Sequence, residues 1–277
     1  MLTTLALIST LFAAPAPDSA EAGALQVAAL ERFHQQTFSN TAASVVFISG
    51  KDSLGSGFFI SADGWILTNA HVVHDAEQFD VVLNDGRRFT GKVMERAKDD
   101  IDFALLKIDI KDSKPMRFDT SPVTVGTWIS SIGHGAGMVW TMTTGMVSNV
   151  HPSGSKRRVF QTDMPINSGN SGGPIINRQG LVIGVVTAKI KGADNVNFGI
   201  RIDLALESLS KLGAHCECWR VLTTKGTPVF LDGEVVGSGP EVVIPAMAGS
   251  HRLSAVSNGN RLERSLEWPR DRDVVLK

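Results

Sequence analysis

The run Gly169-Asn170-Ser171-Gly172-Gly173-Pro174 sets a serine in a glycine-rich turn, where backbone N–H groups can converge on a developing oxyanion. Such a hydroxyl is a nucleophile for acyl transfer once a base stands beside it. The stretch also fits the G-x-S-x-G elbow of α/β-hydrolases, in which a helix follows the serine. Here Pro174-Ile175-Ile176 leads through turn residues at Asn177 to Gly180 into Leu181-Val182-Ile183-Gly184-Val185-Val186, a β-branched run that predicts a hairpin instead.

Two further residue types complete the chemistry. Trp65 to Val73 reads as an apolar strand ending on His71, and Asp99-Asp100-Ile101-Asp102-Phe103-Ala104-Leu105-Leu106 opens another strand with aspartates. The order His, Asp, Ser is that of chymotrypsin-like double barrels; subtilisins run Asp, His, Ser and α/β-hydrolases Ser, Asp, His.

These blocks carry a family resemblance. Gly55-Ser56-Gly57-Phe58-Phe59-Ile60, Thr68-Asn69-Ala70-His71-Val72-Val73, Asp102-Phe103-Ala104-Leu105, and Gln161-Thr162-Asp163 running into Asn167 to Pro174 resemble the trypsin-like protease domain of the bacterial HtrA/Deg family, over roughly residues 41 to 212. The resemblance implies Ser171 as nucleophile, His71 as general base and later acid, and Asp102 as the group that fixes the histidine's tautomer. Gly169, Asn170 and Ser171 become the oxyanion loop, with the N–H groups of Gly169 and Ser171 as its donors.

Each residue also has a plainer reading. His71 and His74 could pair on a metal, although two histidines without carboxylate or thiolate company are a poor zinc set, and no metal or cofactor is expected. Asp99 and Asp100 compete with Asp102, but Asp102 alone directly precedes the apolar run a barrel would bury. Three glycines and a proline suit any tight turn. The whole could be a non-catalytic binding or scaffold module of the cell envelope with a protease-like fold.

Members of the family usually carry small residues and a proline before the nucleophile loop, whereas this chain has Met164-Pro165-Ile166-Asn167-Ser168. No acid occupies that stretch, which predicts a small or medium aliphatic P1 and no preference for Lys or Arg. Pro165 and Ile166 are assigned to substrate binding. Thr187-Ala188-Lys189 resembles the edge on which a substrate is laid extended, and Phe198 its opposite wall.

The elements expected to position these groups are short strands: Ser44 to Ile48, Gly57 to Ile60, Trp65 to Thr68, Val81 to Leu83, and, after an Asn84-Asp85-Gly86 turn, Phe89 to Val93. The fold class is all-β: a chymotrypsin-like double six-stranded barrel with a C-terminal helix, then a small C-terminal β-sandwich. The closing helix is expected to have Asp203 as N-cap, Leu204, Leu206, Leu209 and Leu212 as its apolar stripe, and Gly213 just beyond. The domains read as 1–22 signal peptide, 23–40 N-terminal helix or linker, 41–213 protease domain and 219–277 small β domain.

At the N-terminus, Leu5 to Phe12 is a short apolar run followed by small-x-small sites at Ala14-Pro15-Ala16 or Ala20-Glu21-Ala22, which reads as an export signal into the periplasm or medium, with no integral membrane span once it is removed. Ala24 to Phe33 has helical apolar spacing, compatible with packing on the barrel or with a homo-oligomer contact. Residues 219–277 resemble a PEGA domain in the place of the family's usual PDZ, with a strand, Asp232-Gly233 turn and strand at Thr227 to Gly237, and an envelope partner is one role for it. Cys216 and Cys218, two apart, leave free thiols, an intermolecular bridge or a strained local one. With 27 Lys and Arg against 28 Asp and Glu, no basic field exists to draw nucleic acid, and 43% hydrophobic residues suffice for packed cores. The partners expected are protein or peptide substrates.

Overall fold

The computed structural model describes residues 19–51, 53–98, 101–135, 140–152, 158–189, 195–247, 249–257 and 259–276. The apolar run Leu5 to Phe12, Ala14 to Ala16, Asp99 and Asp100 lie outside them. The chain divides into two units, one through Thr37 and one from Phe38 onward.

The first element is a helix, α1 (Ser19–Thr41), longer than the Ala24 to Phe33 stretch that periodicity marks and beginning ahead of Ala20-Glu21-Ala22. An Ala-, Leu- and Gln-rich run with no proline after Pro17 has nothing to stop it earlier.

Two closed six-stranded antiparallel barrels follow. The first joins β1 (Val45–Ser49), β2 (Leu54–Phe59), β3 (Trp65–Thr68), β4 (Gln78–Val82), β5 (Arg88–Arg96) and β6 (Ala104–Lys107) in the order β1-β2-β3-β6-β5-β4. The second joins β7 (Trp128–Gly133), β8 (Thr141–Asn149), β9 (Val159–Thr162), β10 (Pro174–Ile176), β11 (Val182–Lys189) and β12 (Asn197–Arg201) in the order β10-β11-β12-β9-β8-β7. The hairpin expected after Ser171 is β10 and β11, antiparallel across the Asn177 to Gly180 turn.

Strands such as β3 are apolar on both faces because both are covered. Ile66 and Phe59 point into the first barrel with Val46, Ile48 and Leu106. Trp65, Leu67 and Phe58 face outward, into a shared core with Ile176, Val182, Val185 and Ile200 of the second barrel. Each large side chain so covered contributes about 1.5–3 kcal/mol, and together they hold the two barrels against each other, so that groups on opposite barrels can meet at fixed distance.

Three local expectations change. β3 ends at Thr68, as the Trp65 to Thr68 reading has it, but His71 does not close the strand and lies in a one-turn helix, α2 (Ala70–Val73), entered through an extended Asn69 at φ −85°, ψ 149°. The closing helix is two pieces, α3 (Asp203–Ser208) and α4 (Leu212–His215), because Leu209 is extended between them, and Gly213 lies inside α4. Ile202, not Asp203, is the N-cap: the Asp203 carboxylate is taken by the Arg201 guanidinium.

Cys216 and Cys218 form a disulfide, both buried in the shared core. Beyond them β13 (Cys218–Leu222), β14 (Pro228–Leu231), β15 (Glu234–Ser238), β16 (Glu241–Pro245), β17 (Ser250–Ser257), β18 (Asn260–Glu267) and β19 (Asp273–Val275) form sheets ordered β16-β13-β19 and β15-β14-β17-β18. These close a β-sandwich over Trp219, Val221, Val229, Leu253 and Leu266. Asp232 and Gly233, both at positive φ, make the turn between β14 and β15.

Candidate active site

Asp102 stands two residues before β6, and His71 in the first turn of α2, whose start is held by Asn69 Nδ2 donating to the Asp102 carbonyl at 2.8 Å. The carboxylate grips the histidine twice: Oδ1 accepts the backbone N–H of His71 at 2.9 Å and Oδ2 accepts Nδ1–H at 2.6 Å. An ionised carboxylate only accepts, so Nδ1 carries a proton, and in the neutral ring the lone pair is then on Nε2. Burial works to raise the Asp102 carboxyl, but hydrogen bonds from the His71 ring and backbone and from Thr187 outweigh it and hold the group below the usual carboxylate range. The acid is therefore ionised at neutral pH and faces an imidazole that can accept a proton at its other nitrogen.

The second barrel supplies the rest. Thr187, on β11, donates its hydroxyl to Asp102 Oδ2 at 2.9 Å. Its carbonyl accepts the Ser171 hydroxyl at 3.2 Å. Ser171 is thus tied to the histidine–carboxylate pair through one residue, and no hydrogen bond joins its hydroxyl to His71 among the described residues.

The turn around Ser171 is pinned by its carbonyls. Asn170 N–H donates to Asn167 O at 3.0 Å and Gly173 N–H to Asn170 O at 2.9 Å. Ser56 on β2 donates twice: its hydroxyl to Gly169 O at 2.7 Å and its N–H to Ser171 O at 2.8 Å. The N–H groups of Gly169 and Ser171 have no acceptor among the described residues, which leaves two donors for an oxyanion. Asn170 is buried, its Oδ1 accepting Asn167 N–H at 3.0 Å, so it braces the loop from within.

The residues expected at the substrate cleft are placed unequally. Pro165 is exposed, while Ile166, at 7% exposure, packs with Met164, Ile129 and Phe160 in the second barrel's core. Phe198 is half-buried on β12, in register with Ala188 of β11 and Gln161 of β9; Lys189 pairs with Asn197. Asn197, buried, donates Nδ2 to Met164 O at 2.8 Å and so closes the wall behind that stretch. Thr187 does more than its sequence position suggested, since its hydroxyl engages Asp102. Ser56 was visible only as one letter of Gly55-Ser56-Gly57.

A profile of the trypsin-like peptidase domain matches residues 55–185. A probable periplasmic serine endoprotease, DegP-like, from Halomonas elongata is 38% identical over 167 residues, covering 58% of this chain and 35% of the relative, so the match spans about a third of that protein's length. The crystal structure of Deg5 superposes with a TM-score of 0.56 at 32% identity, over 66% of this chain and 95% of that one. The HtrA-type protease AlgW, solved with a tripeptide, has the same fold at TM-score 0.60 and 24% identity, over 84% of this chain and 96% of that one.

Proposed function

Because the chain belongs to the HtrA/Deg-type trypsin-like serine peptidases, we propose that it is an endopeptidase that cleaves peptide bonds through an acyl-enzyme on Ser171. The observation that carries this reading is the continuous hydrogen-bond chain His71–Asp102–Thr187–Ser171 across the two barrels. For attack, the Ser171 hydroxyl turns from the Thr187 carbonyl to His71 Nε2, which takes its proton as the oxygen bonds the scissile carbonyl carbon. The charge that forms on the carbonyl oxygen is met by the N–H groups of Gly169 and Ser171, while Asp102 stabilises the imidazolium. His71 then protonates the leaving amine, and a water activated by the same nitrogen releases the acyl group.

Substrates are extended or unfolded segments, laid along the end of β11 by main-chain pairing and bounded by Pro165 and Phe198. The P1 side chain is small or aliphatic, because the stretch Met164 to Ser168 offers no carboxylate to a basic one. Residues 1–22 act as an export signal, and the protein works in the periplasm or outside the cell, in keeping with the periplasmic name of the Halomonas relative. The 219–277 sandwich is PEGA-like and tethers the peptidase to an envelope partner; an unchanged split of a 219–277 deletion between envelope and soluble fractions would remove that role. The N-terminal helix serves self-association.

The alternative, a binding or scaffold module, has one observation in its favour: the Ser171 hydroxyl rests on Thr187 rather than on His71. Cleavage of casein by the purified protein, lost in Ser171→Ala, separates the two. Binding of casein with no cleavage by the well-folded wild type would favour the module.

A further inference from the structure

Ser56 holds two of the four loop carbonyls described above, and its hydroxyl is itself held by a residue outside the proposed catalytic set. His134, at the end of β7, donates its backbone N–H to Ser56 Oγ at 3.2 Å, and its ring Nδ1 lies 3.0 Å from the same oxygen. A serine hydroxyl has one proton, and at 2.7 Å that proton goes to Gly169 O. Nδ1 must therefore be the donor, which fixes His134 as the Nδ1–H tautomer and saturates the Ser56 oxygen with two donors and one acceptor.

The other ring nitrogen confirms how particular this arrangement is. His134 is 1% exposed, and its Nε2 has no hydrogen-bond partner among the described residues. It lies among aromatic rings, with Phe47 at 5.0 Å and Trp140 at 4.8 Å between centroids. Leaving a buried acceptor unmatched costs stability, and an apolar side chain would fill an aromatic box without that cost. Among the described residues, the one polar service the imidazole performs is the Nδ1–H bond to Ser56.

The backbone on either side is shaped to the same loop. A Cβ on Gly133 would lie 2.8 Å from Asn170 Nδ2, and one on Gly135 would lie 2.5 Å from Asn170 Oδ1. The His134 carbonyl, in turn, comes within 2.4 Å of where a Cβ on Gly169 would be. Gly133-His134-Gly135 is thus a cradle that receives the Asn170 amide and lies directly against Gly169.

We propose that His134 is a positioning residue of the oxyanion loop: through Ser56 it locks the Gly169 carbonyl inward, so that the Gly169 and Ser171 N–H groups face the substrate. It touches no reacting atom and acts wholly through Ser56. The proposal rests on Ser171 being the nucleophile and on those two N–H groups being the oxyanion hole.

The test compares wild type, His134→Leu, His134→Asn, Ser56→Ala and the Leu/Ala double variant on a chromogenic peptide, with thermal melts to establish folding. H134L removes the donor and keeps the packing; H134N returns an N–H near the place of Nδ1. The expected result is a kcat lower by about 10- to 100-fold in H134L with KM within about twofold, and recovery to within about fivefold in H134N. Because both residues act in one chain, the double variant should be no slower than the slower single variant. A folded H134L with kcat within about twofold of wild type, an H134N no faster than H134L, or single-variant losses that multiply would each overturn the proposal. Should H134L not fold, a folded S56A with wild-type kcat overturns it instead. Wild type that cleaves while H134L cleaves equally well sinks this inference alone; wild type that neither cleaves nor takes a fluorophosphonate label sinks the reading of Ser171 and this one with it.

Discussion

Thr187 donates its hydroxyl to Asp102 Oδ2 at 2.9 Å, a bond between a residue of the second barrel and the acid of the first. It gives the carboxylate a donor besides the two from His71 and fixes which oxygen faces the ring. A hydrogen bond to a charged group is worth about 1.5–3 kcal/mol. Thr187→Val, which keeps the shape and the carbonyl, should lower kcat by roughly 10- to 100-fold with little change in KM. Steady-state kinetics on a peptide substrate check this; an unchanged kcat would show that His71 alone holds the acid.

Gly172 follows Ser171 at φ +85°, and a Cβ there would stand 2.1 Å from the Ser56 carbonyl oxygen and 2.3 Å from Thr68 Oγ1. Both neighbours belong to the first barrel, so the turn rather than the barrel must give way. Gly172→Ala should cost about 100-fold or more in kcat, the scale of a misplacement near 1 Å. Gly180→Ala is the control: φ is also positive, +76°, but nothing lies within 4 Å of the added methyl. It should lose about 1–2 kcal/mol of stability and keep its activity. Equal kcat for the two variants would refute the close-approach argument.

Burial pushes His134 down from the ordinary 6.5 to about 4. The unfolded chain takes up this proton near pH 6.5, while the fold refuses it until about pH 4. The contribution to stability is therefore complete above about 6.5 and is lost as pH falls from there to about 4, by up to about 3 kcal/mol. Urea unfolding of wild type and H134N at pH 7 and pH 4.5 isolates it: wild type should lose more stability than the variant on acidification. Parallel losses would show that the ring is already charged or already solvated in the fold.

In a P1 panel of otherwise identical peptides, Val, Ala and Ile should be cleaved at least about tenfold faster than Lys or Arg, the worth of leaving one charge without a partner in the pocket. Met164 to Ser168 carries no acid, and Asn197 closes the wall behind it through Met164 O at 2.8 Å. Strong cleavage after Lys or Arg would require a carboxylate that this wall does not hold.

The barrels and the order His71, Asp102, Ser171 could be read from the chain because short β-branched runs and a glycine-rich turn are local signals. The helix that carries His71 could not: nothing in Thr68-Asn69-Ala70-His71 says that the Asn69 amide will find the Asp102 carbonyl, 33 positions on, and turn the chain into α2. Thr187 was visible as part of an edge, but its bond to Asp102 spans 85 positions and exists only once the two barrels pack. His134 left no trace at all, since Gly133-His134-Gly135 acquires meaning only when Ser56, 78 positions earlier, and Gly169 close on it. Ile166 was legible only as part of the stretch before the nucleophile loop; that its side chain packs beside Met164 and Phe160 is set by the second barrel, whose strands are distant in sequence.

The most direct test of the account is intact-mass and peptide-level mass spectrometry after reaction with a fluorophosphonate. The reagent phosphonylates a serine only where a base removes its proton and an oxyanion site receives the charge. One adduct per chain on Ser171, absent in His71→Ala and in Ser171→Ala, is the predicted result. A well-folded wild type that takes no adduct, or takes it on another serine, would contradict the assignment of Ser171 and His71 as nucleophile and base.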